Sequence, residues 1–417
     1  MRACQRARAM TTSPLRRRDR RLIYAAALLR GLAAGAISVL AAVYLAKRGF
    51  PADDIGVVLS AGMAGVFAGT VYGTFLADRV GRRRSLVLLA LLAAAGGAAL
   101  AWFDSLWAIA LAAFIGMLST QGSDRGAAQA LEVSILPSTT SDTERTRVYA
   151  WYNALADAGG AAGALLAALP ALLRTQLEFA ELRAYDATIL VYAVLLVGVA
   201  LLYSRLSRAT EPAHAATAGL SARDLPPSAR RSVWRFAGLS AMDSLGGGFI
   251  GSALIAYYLY ARFGVGEGAL ALLFAAARVM TVLSHFAAAW LAQRIGLVNT
   301  MVFTHIPSSL LLLTLPIAPT FAVAAMLFIL REGLSEMDVP TRQSYLMAIV
   351  PPHERAWASG LTQLARAGGR MIAPAFAGAA MHAGALWLPL VAGATIKITY
   401  DLLLWRAFRA TKPPEER

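Results

Sequence analysis

Twelve stretches of mostly apolar residues, each bounded by charged or turn-forming positions, alternate with short polar connections at approximately 22–46, 54–77, 84–103, 106–135, 147–170, 186–204, 233–258, 268–292, 298–317, 321–349, 357–382 and 386–408. A helix needs about 20 apolar residues to cross a bilayer. The pattern therefore predicts an all-α membrane protein with twelve transmembrane helices, numbered here as runs 1–12. Six runs lie on each side of the longest connection, Arg205 to Arg235, which holds Pro212, Pro226, Pro227 and six arginines. The expected organisation is a basic cytoplasmic tail over 1–21, a six-helix half over 22–204, a cytoplasmic linker over 205–232, a second six-helix half over 233–408 and a tail over 409–417.

The two halves read as a tandem duplication. Leu291-Ala-Gln-Arg-Ile-Gly296 is a degraded copy of Leu76-Ala-Asp-Arg-Val-Gly81, offset by 215 residues. Asp124 and Pro137 recur as Asp338 and Pro351 at 214, and Glu144-Arg145 and Gly159 recur as Glu354-Arg355 and Gly369 at 210. One register held across separate segments predicts pseudo-symmetric halves.

Composition strengthens the membrane reading: of 417 residues, 58% are hydrophobic and only 15% charged. The net charge of +15 would suit a nucleic-acid binder, but the arginines cluster between apolar runs instead of along one polar face. The tail, the 79–84 loop, the linker and the C-terminal segment are basic, whereas the loops expected on the outer side hold few basic residues, namely Lys47, Arg48, Arg174, Arg183 and Arg262. By the positive-inside rule both termini are expected in the cytoplasm, the chain being a multi-pass protein of the cell (inner) membrane. Run 1 is about twice as long as a signal-peptide core and has no cleavage-like end. Met10 offers an alternative start, and the single cysteine, Cys4, excludes an intrachain disulfide and a thiolate metal cage.

Charged side chains within membrane runs are costly and mark pathways or pairs. Runs 3, 6 and 9 carry no Asp, Glu, Lys or Arg in their cores. Run 1 carries Arg30; run 4 Asp124, Arg125 and Glu132; run 7 Asp243; run 10 Arg331, Glu332, Glu336, Asp338 and Arg342. At helical spacing, Arg331, Ser335, Asp338 and Arg342 form one stripe, and Gln363, Arg366 and Arg370 another on run 11. Each charge has two readings, a structural ion pair or a contact with solute; Arg125 with Asp338, or Asp124 with Arg342, would be such pairs. Lys397, Tyr400 and Asp401, at i, i+3 and i+4 on run 12, are expected to pair among themselves. His285 and His305 read as hydrogen-bonded core residues before proton carriers.

Twelve runs in two repeats, with Asp78-Arg79-Val80-Gly81-Arg82-Arg83 after run 2, resemble the major facilitator superfamily (MFS) over Leu22 to about Phe408. Thr74 stands where the family has its first loop glycine, with Gly73 one residue early. The resemblance implies that runs 1, 4, 7 and 10 line a central cavity and that Asp78, Arg79, Gly81 and Arg82 form a gate. Gly159, Gly163, Ala164, Ala167 and Ala168 on run 5, and Gly360, Gly369, Pro374 and Gly378 on run 11, fit parts of the family's antiporter motif, although small residues also serve close helix packing.

No Gly-x4-Gly-Lys-Ser/Thr loop, His-Glu-x2-His pair or Gly-x-Ser-x-Gly elbow occurs, which argues against an enzyme and leaves an ion gradient as the energy source. The expected function is secondary active transport by alternating access: proton-coupled antiport that exports a small polar or charged solute. Arg30, Asp124, Arg125, Asp243, Arg331, Asp338, Arg366 and Arg370 are the expected substrate-binding residues, and Glu336, Glu332, Asp338 and Glu132 the proton-coupling ones. Like-charge repulsion between Glu332 and Glu336 would favour one shared proton. Two alternatives stand beside this: a proton symporter importing an organic or inorganic anion, clamped by Arg30, Arg125, Arg278, Arg331, Arg366 and Arg370, and a non-transporting receptor or assembly factor with the same fold. The expected partners are a small-molecule or ion substrate, protons and the lipid bilayer, with no cofactor, metal or nucleic acid, and the chain is expected to act as a monomer.

Overall fold

The helices follow the twelve apolar runs in order. The structure is a computed structural model and describes residues 14–119, 121–122, 128–140, 145–211, 227–350 and 355–409. Span 1 is Pro14–Lys47, span 2 Ala52–Phe75, span 3 Arg82–Trp102, span 5 Arg145–Leu166 and span 6 Glu181–Ser204. In the second repeat, span 8 is Glu267–Ile295, span 9 Leu297–Thr314, span 11 Arg355–His382 and span 12 Leu388–Phe408. Span 5 continues after two residues as Leu169–Leu177, and three further spans are divided: span 4 into Leu106–Ile115 and Ala128–Ile135, span 7 into Pro227–Phe249 and Ser252–Phe263, and span 10 into Phe321–Ser335 and Asp338–Ile349. Among the described residues no strand occurs, and nine helices are long and apolar enough to cross a membrane. The runs without such a helix are 4 and 10, which are divided, and 11, which carries the Gln363, Arg366 and Arg370 stripe.

The interruption of span 4 differs from the single stretch read over 106–135. Its first helix ends at Ile115, capped by Gly116, and Met117 takes a positive φ of 49°. Gly116 is required there for another reason as well. It meets Gly96 of span 3 so closely that a Cβ on either glycine would strike the other's backbone, so the two helices approach to a separation that only paired glycines allow.

By compactness the chain forms two units, residues 1–44 with 61–217 and residues 45–60 with 218–417. Inside each unit the same contacts recur at the offsets of the duplication. Ser105 caps span 4 by accepting from the Ala108 N–H at 3.3 Å, and Thr320 caps span 10 by accepting from the Val323 N–H at 3.4 Å. The Tyr44 hydroxyl donates to the Leu100 carbonyl at 3.3 Å, and the Tyr258 hydroxyl donates to the Leu315 carbonyl at 3.3 Å. Gly159 of span 5 lies against the Leu28 carbonyl of span 1, as Gly369 of span 11 lies against the Ala241 carbonyl of span 7. Gly163 against Leu32 adds a second such contact in the first unit. These small residues let the helix backbones touch, which is the packing role open to them in any bilayer-embedded bundle.

The charged loop after span 2 and its degraded copy after span 8 fold alike. Gly81 has φ 106° and Gly296 φ 86°, a region that favours glycine. Each donates its N–H four residues back, to Ala77 at 2.9 Å and Ala292 at 3.0 Å. Each then accepts from the residue four ahead, Ser85 and Thr300, at 3.0 Å.

Each unit has its own apolar core. In the first, Ile23, Leu86, Leu131, Tyr152 and Tyr203 are buried together. In the second, Phe236, Tyr345 and Phe408 pack ring on ring with centroids 5.7–6.1 Å apart, beside Met301 and Leu404.

Candidate functional site

A buried ionic cluster forms at related positions of both repeats. The glycine contacts pair Leu28 with Ala241 and Leu32 with Leu245 along spans 1 and 7, and that register places Arg30 opposite Asp243 in the repeat. Arg30 in the first unit and Asp243 in the second are each ion-paired into the following divided span, but with reversed polarity.

In the first unit, Glu132 of span 4 is fully buried and accepts from three elements. Arg30 of span 1 forms a salt bridge to it. The Tyr152 hydroxyl of span 5 donates at 2.7 Å and the Tyr203 hydroxyl of span 6 at 2.6 Å. Arg30 also donates to the Tyr152 oxygen at 3.3 Å. A carboxylate is an acceptor only, so three convergent donors satisfy it, and the charge of Arg30 balances it in a place where an isolated ion would cost several kcal/mol. A cavity of about 70 Å³ adjoins the cluster, bounded by Arg30, Ile37, Leu89, Ser119, Leu196 and Tyr203 among others.

In the second unit, Asp243 is the hub. Its Oδ2 accepts from Arg342 of span 10 at 3.0 Å and Arg366 of span 11 at 3.1 Å; its Oδ1 accepts from Lys397 of span 12 at 2.7 Å. Arg342 also bridges to Asp338 one turn back on its own helix, at 2.8 Å. His305 of span 9 lies 3.2 Å from Lys397 Nζ and 2.9 Å from Asp401. The cluster joins three carboxylates to three fixed cations and one imidazole, so its charges balance while the histidine stays neutral. Spans 4, 5 and 6 supply the partners of Arg30 in the first unit, and spans 10, 11 and 12 those of Asp243 in the second.

The expected site residues are therefore distributed unevenly. Arg30 with Glu132 form one group, and Asp243, Asp338 and Arg366 another. Arg331 is instead paired with the adjacent Glu332, and both are buried. That contact occupies one of the two carboxylates expected to share a proton, and Glu336 lies beyond it at the break in span 10. Arg278 and Arg370 are half-buried. Asp124 and Arg125, and with them two of the proposed interhelical pairs, lie outside the described residues; Asp338 and Arg342, their suggested partners, pair with each other.

The expectation that Lys397 and Asp401 pair with each other is corrected: Lys397 reaches Asp243 on span 7, and Asp401 accepts from His305 on span 9. The i, i+4 spacing allows the local pair, but both side chains are buried, where a partner on a facing helix satisfies each one and ties helices together. Tyr152 and Tyr203 were not singled out by sequence. Their signal is a phenol on a membrane helix, which needs a buried acceptor, and nothing in the spacing names Glu132 as that acceptor.

The loop residues form a local lattice. Asp78 accepts from Arg82 Nε at 2.7 Å, and Arg82 also donates to the Ser134 carbonyl at 3.2 Å. Glu211, which follows span 6, accepts from the backbone N–H groups of Arg82 at 2.7 Å and Arg83 at 3.1 Å. A carboxylate at the start of a helix meets unpaired donors and the positive end of the helix dipole, so Glu211 caps span 3. Arg79 is exposed. Among the described residues no group of three or more His, Cys, Asp or Glu could hold a metal ion.

Comparison with known proteins agrees with the helical arrangement. The family model described as the Major Facilitator Superfamily matches residues 23–374. An uncharacterized membrane protein of Saccharomyces cerevisiae, YJR124C, is 25% identical, with 93% of each chain covered. Among solved structures, a bacterial homologue of the human lysosomal transporter Spinster, in an inward-facing and unoccupied conformation, superposes with a TM-score of 0.73 at 16% identity, covering 96% of this chain and 99% of that one. The nucleoside transporter NupG gives 0.71 at 13% identity, covering 95% and 100%. An auto-inhibited peptide transporter of the POT family gives 0.73 at 14%, covering 95% and 97%.

Proposed function

Because the chain belongs to the Major Facilitator Superfamily, a family of membrane transporters, we propose that it is a proton-coupled antiporter exporting a small polar or charged solute by alternating access. Both termini then lie in the cytoplasm and the chain sits in the cell (inner) membrane, as its arginine distribution favours. The observation that carries the reading is the pair of buried ionic clusters around Arg30 and Asp243. Ions in a membrane helix are expensive, and here they occur at the same repeat position in each unit, on spans 1 and 7. Glu132, Glu332, Glu336 and Asp338 remain the carboxylates through which a proton would couple, and Arg30, Asp243, Arg331, Arg366 and Arg370 the groups that would meet a solute. Asp78, Arg79, Gly81 and Arg82 would gate access, with the Asp78–Arg82 bridge exchanging partners during the cycle.

One observation favours anion symport as a second reading. Arg331 is buried, and its Nε has no hydrogen-bond partner, so it retains a donor for an incoming anion.

The full chain in proteoliposomes, with a pH-sensitive dye inside and a panel of amino acids, nucleosides and carboxylates preloaded one at a time, tests both. An outward solute gradient acidifies the lumen under antiport and alkalinises it under symport. Movement of the panel solutes without any luminal pH change would overturn proton coupling, and no flux would favour a receptor of the same fold. Glu336→Gln and Asp338→Asn are expected to lower the proton-coupled rate at least tenfold; unchanged rates and pH dependence would remove both residues from coupling.

A further inference from the structure

Span 9 carries no Asp, Glu, Lys or Arg in its core, yet it contributes a buried titratable group that the proposed coupling residues leave unused. His305 is 2% exposed. Its Nδ1 lies 2.9 Å from both carboxylate oxygens of Asp401. Its Nε2 lies 3.2 Å from Lys397 Nζ and 3.9 Å from Asp243 Oδ1. The ring of Tyr400 stands edge-on to it at 6.1 Å.

Hydrogen placement follows from the partners. An ammonium group has donors only, so Nε2 accepts from Lys397, and the ring hydrogen sits on Nδ1, donated to Asp401. His305 is neutral in this arrangement. Lys397 then reaches both the imidazole and Asp243 Oδ1, linking span 12 to spans 9 and 7.

We propose that His305 is a proton-binding site of the transport cycle, at which protonation of Nε2 releases Lys397 and loosens span 12 from span 7. This rests on the proton-coupled reading above and names a site for the proton beyond the carboxylates considered there. The proton comes from hydronium, whose O–H bond breaks to leave water, and forms a new N–H bond on the lone pair that had accepted from Lys397, so that one hydrogen bond is lost. Two donors then face each other. The imidazolium Nε2 faces Asp243 Oδ1, 3.9 Å away and held by Lys397, and competes with Lys397 for it, while Asp401 holds the other nitrogen. Arg342 of span 10, itself bridged to Asp338, and Arg366 of span 11 keep Asp243 Oδ2. Within ion-pairing distance of His305 itself are Asp243 of span 7 and Asp401 of span 12, with Lys397 as the neighbouring cation. Among the described residues no carboxylate of spans 8 or 10 is ion-paired with His305. The span 7–12 contact released is a tight one, since a Cβ on Gly246 would meet the Gly393 carbonyl at 3.0 Å. Imidazole suits the role because, unperturbed, it is the side chain that changes charge between about pH 5 and 8.

The chain has five histidines and only three lysines, Lys47, Lys397 and Lys412, so isotope-labelled side chains are individually assignable. Full-length protein in lipid nanodiscs, labelled at histidine rings and lysine Nζ, is titrated by NMR over about pH 5–9, with His305→Gln assigning the His305 signal. The expected result is an imidazole titration absent from His305→Gln, with the Lys397 Nζ resonance moving at the same midpoint. Lys397→Met, which removes a repelling cation, raises the midpoint by about one pH unit, a tenfold gain in proton affinity; Asp401→Asn, which removes an attracting anion, lowers it by as much. A wild-type His305 that stays neutral throughout overturns the site, as does a midpoint unmoved in Lys397→Met or a Lys397 signal indifferent to His305. Titration as described in a protein whose pH gradient drives no solute upholds the site and overturns the coupled-transport reading instead.

Discussion

Asp243 shows why buried charge has to be read in company. Three cations converge on its two oxygens, and removing the carboxylate leaves all three without that partner in a low-dielectric interior. Asp243→Asn is expected to destabilise the second unit by about 3–5 kcal/mol, the usual cost of breaking a buried pair from one side, measured as a fall in the thermal midpoint in nanodiscs. Adding Lys397→Met should recover part of that loss, because side chains in contact are not additive. A double variant as unstable as the sum of its parts would show that Lys397 is not held by Asp243. Glu211 is a milder case. Glu211→Gln keeps an oxygen for only one of the Arg82 and Arg83 N–H groups, so it loses one hydrogen bond besides the interaction of charge with helix end, about 1–2 kcal/mol together. The presence of these charges was legible from residue type and position; their partners were not. Helical spacing ranks neighbours along one helix, whereas Lys397 and Asp401 are satisfied by facing helices.

Helices in this chain meet through small residues at repeated positions. Gly159 on the Leu28 carbonyl and Gly369 on the Ala241 carbonyl leave no space for a side chain. Gly159→Leu and Gly369→Leu should each destabilise the protein by about 1–3 kcal/mol or more through overpacking, whereas Gly160→Ala, at a position with open space, should be neutral within about 0.5 kcal/mol. Thermal midpoints of the three variants check this, and equal tolerance of all three would exclude backbone contact at Gly159 and Gly369. The divided spans were less legible than these contacts. Run 4 reads as one helix although residues 119–126 are polar and rich in glycine; its first helix stops at Ile115 with a positive φ at Met117, and Gly96 and Gly116 meet beside that stop. A glycine pair of that kind has no signature in either helix alone.

For the molecule as a whole, orientation in the bilayer follows from charge. Exposed arginines mark the start of span 3, Arg79 ahead of it and Arg84 in its first turn, and the positive-inside rule assigns that end to the cytoplasm. With Cys4 replaced by serine, Arg84→Cys should react with a membrane-impermeant maleimide only after the cytoplasmic side is opened, and Glu178→Cys, in the exposed segment before span 6, should react in intact cells. The reverse pattern would invert the topology.

Length of the apolar runs, their number, the charge between them and the offset of about 215 residues between copies were enough to specify a duplicated helical membrane protein, because a bilayer leaves the backbone few alternatives to the helix. The ionised residues on spans 1, 4, 7 and 10 could be picked out for the same reason: charge in an apolar run is rare by energy, so its mere occurrence is informative. Which charge meets which was settled by folding. Arg30 and Asp243 occupy one repeat position with opposite sign, and a duplicated pattern carries no rule for such an exchange. His305, isolated on an apolar helix, acquires chemistry only through Lys397 and Asp401, ninety or more residues away, because proximity across helices is created by packing and has no period along the chain.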